Sequence, residues 1–125
     1  MQVLIVDSSS HIILRLEEML ADTPVVTVVH TSVSYENAIR LFIENKPDVV
    51  LLCAGLPDNK SLKLLSEIKA GFSKTKVVVL FTNTDECMHE QCRLLGADYL
   101  LDKYQDFEQI PGVINSAPII HKPIQ

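Results

Sequence analysis

Five side chains able to do chemistry stand at the ends of short apolar runs. Asp7 and Ser8 follow Val3-Leu4-Ile5-Val6, and Cys53 follows Val49-Val50-Leu51-Leu52. Thr82 follows the run from Val77 to Phe81, and Lys103 lies just beyond Tyr99-Leu100-Leu101. An acid, a thiol, hydroxyls and an ammonium gathered at one place would hold an anion or tune a thiol. Taken singly, each has a plainer use. Asp7 could cap a helix, a role open also to Ser8, Ser9 and Ser10. Cys53 could be a small buried apolar group, Thr82 could satisfy its own backbone at a strand end, and Lys103 could be an ordinary solvated lysine. They make a site only if the fold brings them together.

The elements that would do so are legible as two alternating periods. Val3 to Val6, Val25 to Val29, Val49 to Leu52, Val77 to Phe81 and Tyr99 to Leu101 are almost continuously apolar, which suits strands covered on both faces of a parallel sheet. Between them the spacing is helical. Ile13, Leu16 and Leu20 mark a first helix, and Ala38, Leu41 and Phe42 a second that begins after Ser34 and stops before Pro47. Leu64, Leu65 and Ile68 mark a third from about Asn59 to Ala70, with Gly71 as its stop. Met88, Cys92 and Leu95 mark a fourth, capped by Thr84 with Asp85 and Glu86 in its first turn. Pro111 and Gly112 interrupt the pattern between Phe107 and Asn115, so the fifth helix is expected to be short, frayed or kinked.

Five strands alternating with five helices predict an α/β fold, a flavodoxin-like doubly wound (βα)5 sandwich with a five-stranded parallel sheet in the order 2-1-3-4-5. Ligands of such sheets bind outside the carboxyl ends of the strands, where strands 1 and 3 meet. Asp7, Ser8, Cys53, Thr82 and Lys103 all fall on that edge.

The chain has 125 residues, of which 47% are hydrophobic, and this suits one domain over residues 1–116 with a loose tail over 117–125. Eleven basic and sixteen acidic residues give a formal charge of −5, which argues against nucleic acid or an anionic membrane as a partner. No run is long enough to span a membrane, Met1 opens directly into a strand-like run without a secretory signal, and Cys53, Cys87 and Cys92 lack C-x-x-C spacing. Reduced thiols and a cytoplasmic location are expected.

Val3 to Ser9, Pro47-Asp48-Val49 through Cys53 to Pro57, Thr82, and Leu95-Gly96-Ala97-Asp98 through Lys103 together resemble the receiver domain of bacterial response regulators, over about residues 2–116. The resemblance implies a module of two-component, or phosphorelay, signal transduction. It implies that Cys53 stands at the phosphoacceptor position and that Asp7, Ser8 and Gly55 are what remains of an acidic, metal-binding pocket. It makes Thr82 and Lys103 the equivalents of the residues that contact the phosphoryl group, and puts Leu100 at the switch position with the aromatic Tyr99 displaced by one. Its implied partners are a histidine kinase, another receiver or an output protein. A homodimer through helix 4, strand 5 and helix 5 is also implied, with Leu94, Leu100, Tyr104 and Phe107 as apolar contacts.

Two departures fall on the chemical centre of that pattern. The family carries two adjacent acids after strand 1, where this chain has Asp7 and Ser8, and an aspartate where Cys53 stands. Mg²⁺ requires hard oxygen ligands, so no cofactor and at most weak Mg²⁺ binding are expected. The expected function is that of an atypical, non-enzymatic receiver acting by protein contact, without phosphorylation at position 53.

Two rivals come from other classes. A flavodoxin-like cofactor binder would use Asp7 to Ser10 as a phosphate cradle, but no glycine-rich turn follows strand 1 and no Trp is present. A thiol-based redox switch would centre on Cys53. Lys103 would raise its reactivity while Asp7 and partial burial would lower it, so an accessible but unexceptional thiol is expected. Cys87, His89 and Cys92 point in different directions on a helix and offer no fourth ligand, so no metal is assigned to them.

Overall fold

The computed structural model describes residues 1–71, 74–82 and 86–116. Strands β1 (Gln2–Val6), β2 (Val28–Ser32), β3 (Val49–Cys53), β4 (Lys76–Phe81) and β5 (Tyr99–Asp102) form one parallel sheet in the order β2-β1-β3-β4-β5. Helices α1 (Ser10–Ala21), α2 (Tyr35–Asn45), α3 (Lys60–Gly71), α4 (Glu86–Leu94) and α5 (Ile110–Ser116) follow the strands in turn. This is the flavodoxin-like arrangement expected from the sequence. No helix among the described residues is long and apolar enough to cross a membrane.

The sheet is covered on both sides, which is why its strands read as unbroken apolar runs. Val3, Ile5, Val49, Leu51, Val78 and Leu80 face α1 and α5, meeting Ile13, Leu16, Leu20, Ile110 and Ile114. The alternate residues Leu4, Val6, Val50, Leu52, Val77 and Val79 face the other layer, with Ala38, Phe42, Leu64, Leu65, Ile68 and Cys92. Each fully buried Leu, Ile or Val contributes about 1.5–3 kcal/mol relative to exposure, so these two clusters dominate the fold's stability.

Strand β2 differs from its predicted place, running from Val28 to Ser32 and not from Val25 to Val29. The parallel register pairs Gln2 with Val28, and Val25 to Thr27 are needed to bridge from α1 to that register. The Met1 amino group donates to the Val25 carbonyl at 2.9 Å, and the Thr27 N–H donates to the Met1 carbonyl at 2.9 Å. As an edge strand β2 is only half covered, so His30 and Thr31 belong to it despite their polarity.

Helix boundaries follow from caps. The Ser9 and Ser34 hydroxyls accept from Ile12 and Asn37 at the starts of α1 and α2. Lys46 ends α2 in the left-handed region at φ 45, ahead of Pro47. Gly96, at φ 100, turns the chain out of α4, where an added Cβ would lie 3.3 Å from Lys69 Cγ. Leu41, expected on the sheet face of α2, is only partly buried beside Phe42. Pro111 falls in the first turn of α5, where a missing N–H costs nothing, so it starts the short helix instead of interrupting it. The predicted Thr84 cap with Asp85, and the tail over 117–125, lie outside the described residues.

Candidate functional site

Register at the carboxyl edge sets the site. Val6 pairs with Leu52 and Phe81 with Asp102, so Asp7, Cys53 and Lys103 arrive at the same level on β1, β3 and β5. The Asp7 N–H donates to the Ser32 carbonyl at 3.1 Å and the Lys103 N–H to the Phe81 carbonyl at 2.6 Å, which continues the ladder one residue past each strand.

The three side chains close on one another. Lys103 Nζ lies 2.7 Å from Asp7 Oδ2 and donates to Cys53 Sγ at 3.2 Å. All three residues are buried, Cys53 to within 5% of full burial, which corrects the expectation of an accessible thiol. Burial works against charge on Lys103, yet the Asp7 carboxylate and the Cys53 sulfur outweigh it and hold the ammonium above its usual range. Asp7 Oδ1 accepts the Ser9 N–H at 2.8 Å, while the buried Oδ2 is held by the ion pair with Lys103 and by no well-aligned hydrogen bond.

A second set of contacts shapes the loop after β3. The Gly55 N–H donates to Cys53 Sγ at 3.3 Å. Buried Ser61 donates to the Cys53 carbonyl at 2.6 Å and accepts the Leu56 N–H at 3.1 Å. Asp58 and Asn59 adopt positive φ of 58 and 56, a conformation these residue types tolerate best after glycine. Ser61 was not foreseen from the sequence, because a hydroxyl eight residues beyond Cys53 carries no local signal.

The other predicted residues sit around this cluster. Ser8 is exposed. Thr82 is exposed at the rim, and among the described residues no hydrogen bond joins it to Asp7, Cys53 or Lys103. It lines an open cavity of about 290 Å³ with Ala54, Gly55, Leu56, Phe81 and Met88. Tyr99 packs on the α1–α5 side of the sheet and Leu100 on the α4 side. Leu100 borders a second cavity of about 210 Å³ beside His89, whose ring packs on Phe81 at 3.9 Å between centroids. Cys87 is exposed while Cys92 is buried, as their helical spacing requires.

This donor set does not suit Mg²⁺. The one carboxylate is committed to Lys103 and a backbone N–H, the neighbouring sulfur is soft, and an ammonium already supplies the positive charge. Among the described residues no group of three or more His, Cys, Asp or Glu is arranged to hold a metal.

A family model described as the response regulator receiver domain matches residues 3–115. Solved structures of similar shape include a two-component response regulator of the LuxR family from Aurantimonas sp. SI85-9A1. It aligns with TM-score 0.84 at 17% identity over 92% of this chain and 82% of that one. The signal receiver domain of an HD domain-containing protein from Pseudomonas fluorescens Pf-5 aligns with TM-score 0.84 at 24% identity, over 93% and 85% of the two chains. A two-component response regulator from Clostridium difficile gives TM-score 0.83 at 19% identity over 93% of each. At these identities the likeness is one of fold.

Proposed function

The chain belongs to the response regulator receiver domain family, and we propose that it serves two-component signalling by protein contact alone, without a phosphoryl group at position 53. The observation that carries this reading is the closed cluster of Asp7, Cys53 and Lys103. Phosphoryl transfer to a receiver needs an acceptor, a cation and a free positive group at the transferring oxygens. Here Lys103 spends its charge on Asp7 at 2.7 Å and its remaining reach on Cys53 at 3.2 Å. One carboxylate and one ammonium already balance, so the pocket has no net charge for Mg²⁺ to neutralise.

Function then rests on surfaces. A histidine kinase, another receiver or an output protein are the partners in this reading, and the surface of α4, β5 and α5 is where they, or a second copy, would bind. Leu94 is 75% exposed and Tyr104 58% exposed, which gives this surface apolar anchors. Phe107 contributes less, because the Arg15 guanidinium lies over its ring at 4.5 Å.

Incubation with acetyl phosphate and Mg²⁺, followed by intact-mass measurement, tests the reading. The mass is expected to stay unchanged. A stoichiometric, acid-labile phosphate adduct would overturn it.

A further inference from the structure

Cys53 is not a lone thiol. Its sulfur sits 3.2 Å from an amine nitrogen, and that nitrogen sits 2.7 Å from a carboxylate oxygen able to take its proton. A sulfur that becomes electrophilic on oxidation, a nitrogen nucleophile and a base therefore adjoin in one buried cluster. We propose that peroxide drives a reversible covalent bond between Cys53 Sγ and Lys103 Nζ, a sulfenamide crosslink.

The first step is thiol oxidation. Cys53 sulfur attacks one oxygen of hydrogen peroxide, the O–O bond breaks, and the departing hydroxide takes the thiol proton to leave as water, giving a sulfenic acid. Two electrons pass from sulfur to peroxide. The second step is condensation, with no further oxidant. Asp7 accepts one proton from the Lys103 ammonium, and the freed amine attacks the sulfenic sulfur. The S–O bond breaks, and the oxygen leaves as water with a second proton from nitrogen. An ion pair and a sulfenic acid become a sulfenamide, a neutral carboxylic acid and water, so no charge is stranded in the buried site. Two molecules of a small thiol reverse the bond, restoring thiol and amine while becoming a disulfide.

Access and selectivity follow from Gly55. An added Cβ at position 55 would lie 3.7 Å from Cys53 Sγ, so glycine keeps a side chain off that side of the sulfur, and Gly55 itself lines the cavity of about 290 Å³. A molecule as small as peroxide fits there. The Gly55 nitrogen, at 3.3 Å from the sulfur, is the rival nucleophile. Its lone pair is delocalised into the peptide bond, whereas that of a deprotonated amine is not. The product would tie the end of β3 to the end of β5 across β4, joining residues 50 apart in sequence. It would also withdraw Lys103 from Asp7. The reading stands apart from the proposed signalling role, since it concerns only the chemistry of these three side chains.

The test treats the unsubstituted protein with a small excess of hydrogen peroxide and follows intact mass and tryptic peptides. The expected product is lighter by two hydrogens, yields one peptide pair joined through Cys53 and Lys103, and returns to the starting mass with dithiothreitol. Peptide mapping separates it from a Cys87–Cys92 disulfide of equal mass and needs no variant to fold. In Lys103→Arg, which keeps the positive charge, the joined pair should be lost and Cys53 should gain oxygen instead. Oxygen added at Cys53 of the unsubstituted protein without the joined pair would overturn the proposal. So would an unchanged mass, or a two-hydrogen loss mapping to Cys53 that survives in Lys103→Arg and so marks ring closure onto Gly55.

Discussion

The Nζ of Lys103 lies 2.7 Å from Oδ2 of Asp7, with the two side chains only 4% and 2% exposed. A pair so deeply placed is worth little against an apolar replacement of both partners, because desolvation opposes the attraction, but breaking it strands a charge. Lys103→Met is therefore expected to destabilise the fold by about 3–5 kcal/mol. Asp7→Asn combined with Lys103→Met should cost clearly less than the sum of the single substitutions. Urea unfolding of the four proteins measures the coupling, and strictly additive losses would show that the two groups do not interact.

Position 8 decides the second prediction. Ser8 is exposed beside a carboxylate that is already engaged by Lys103 and Ser9. Cys53→Asp alone adds one hard ligand, whereas Cys53→Asp with Ser8→Asp adds two to the same edge. The double variant is expected to bind Mg²⁺ tighter than the single by about tenfold or more. Calorimetric titration of both gives the comparison, and equal affinities would remove Ser8 from the pocket.

Away from the site, α2 and α3 are joined by a bond with its own pH signature. The Tyr35 hydroxyl donates to both carboxylate oxygens of Glu67, at 2.7 and 2.6 Å. That hydrogen bond, with burial and the nearby negative charge, pushes the phenol from 10.0 up to about 12. A proton held more tightly in the folded chain stabilises it fully below pH 10, and that contribution is lost as pH rises from 10 to about 12. Absorbance titration of phenolate should show one late-ionising tyrosine that disappears in Tyr35→Phe and moves down in Glu67→Gln. A Tyr35 that ionised at the ordinary phenol value of 10.0 would contradict the bond.

The amino-acid pattern made the parallel sheet legible, because runs such as Val49 to Leu52 and Val77 to Phe81 are apolar at consecutive positions, as strands covered by helices on both faces are. It also determined which residues reach the carboxyl edge, since each stands where an apolar run ends. It was silent where the chain's partners are polar or distant. The shift of β2 to Val28–Ser32 depends on pairing with Gln2 to Val6, and an edge strand half open to water need not be apolar. Tertiary structure alone decided which edge residues touch: Lys103 turns in to Asp7 and Cys53, Ser61 holds the Cys53 carbonyl, and Thr82 stays at the rim. Those contacts join residues far apart in sequence, and their distances come from strand register and the reach of a long side chain, neither of which leaves a local pattern to read.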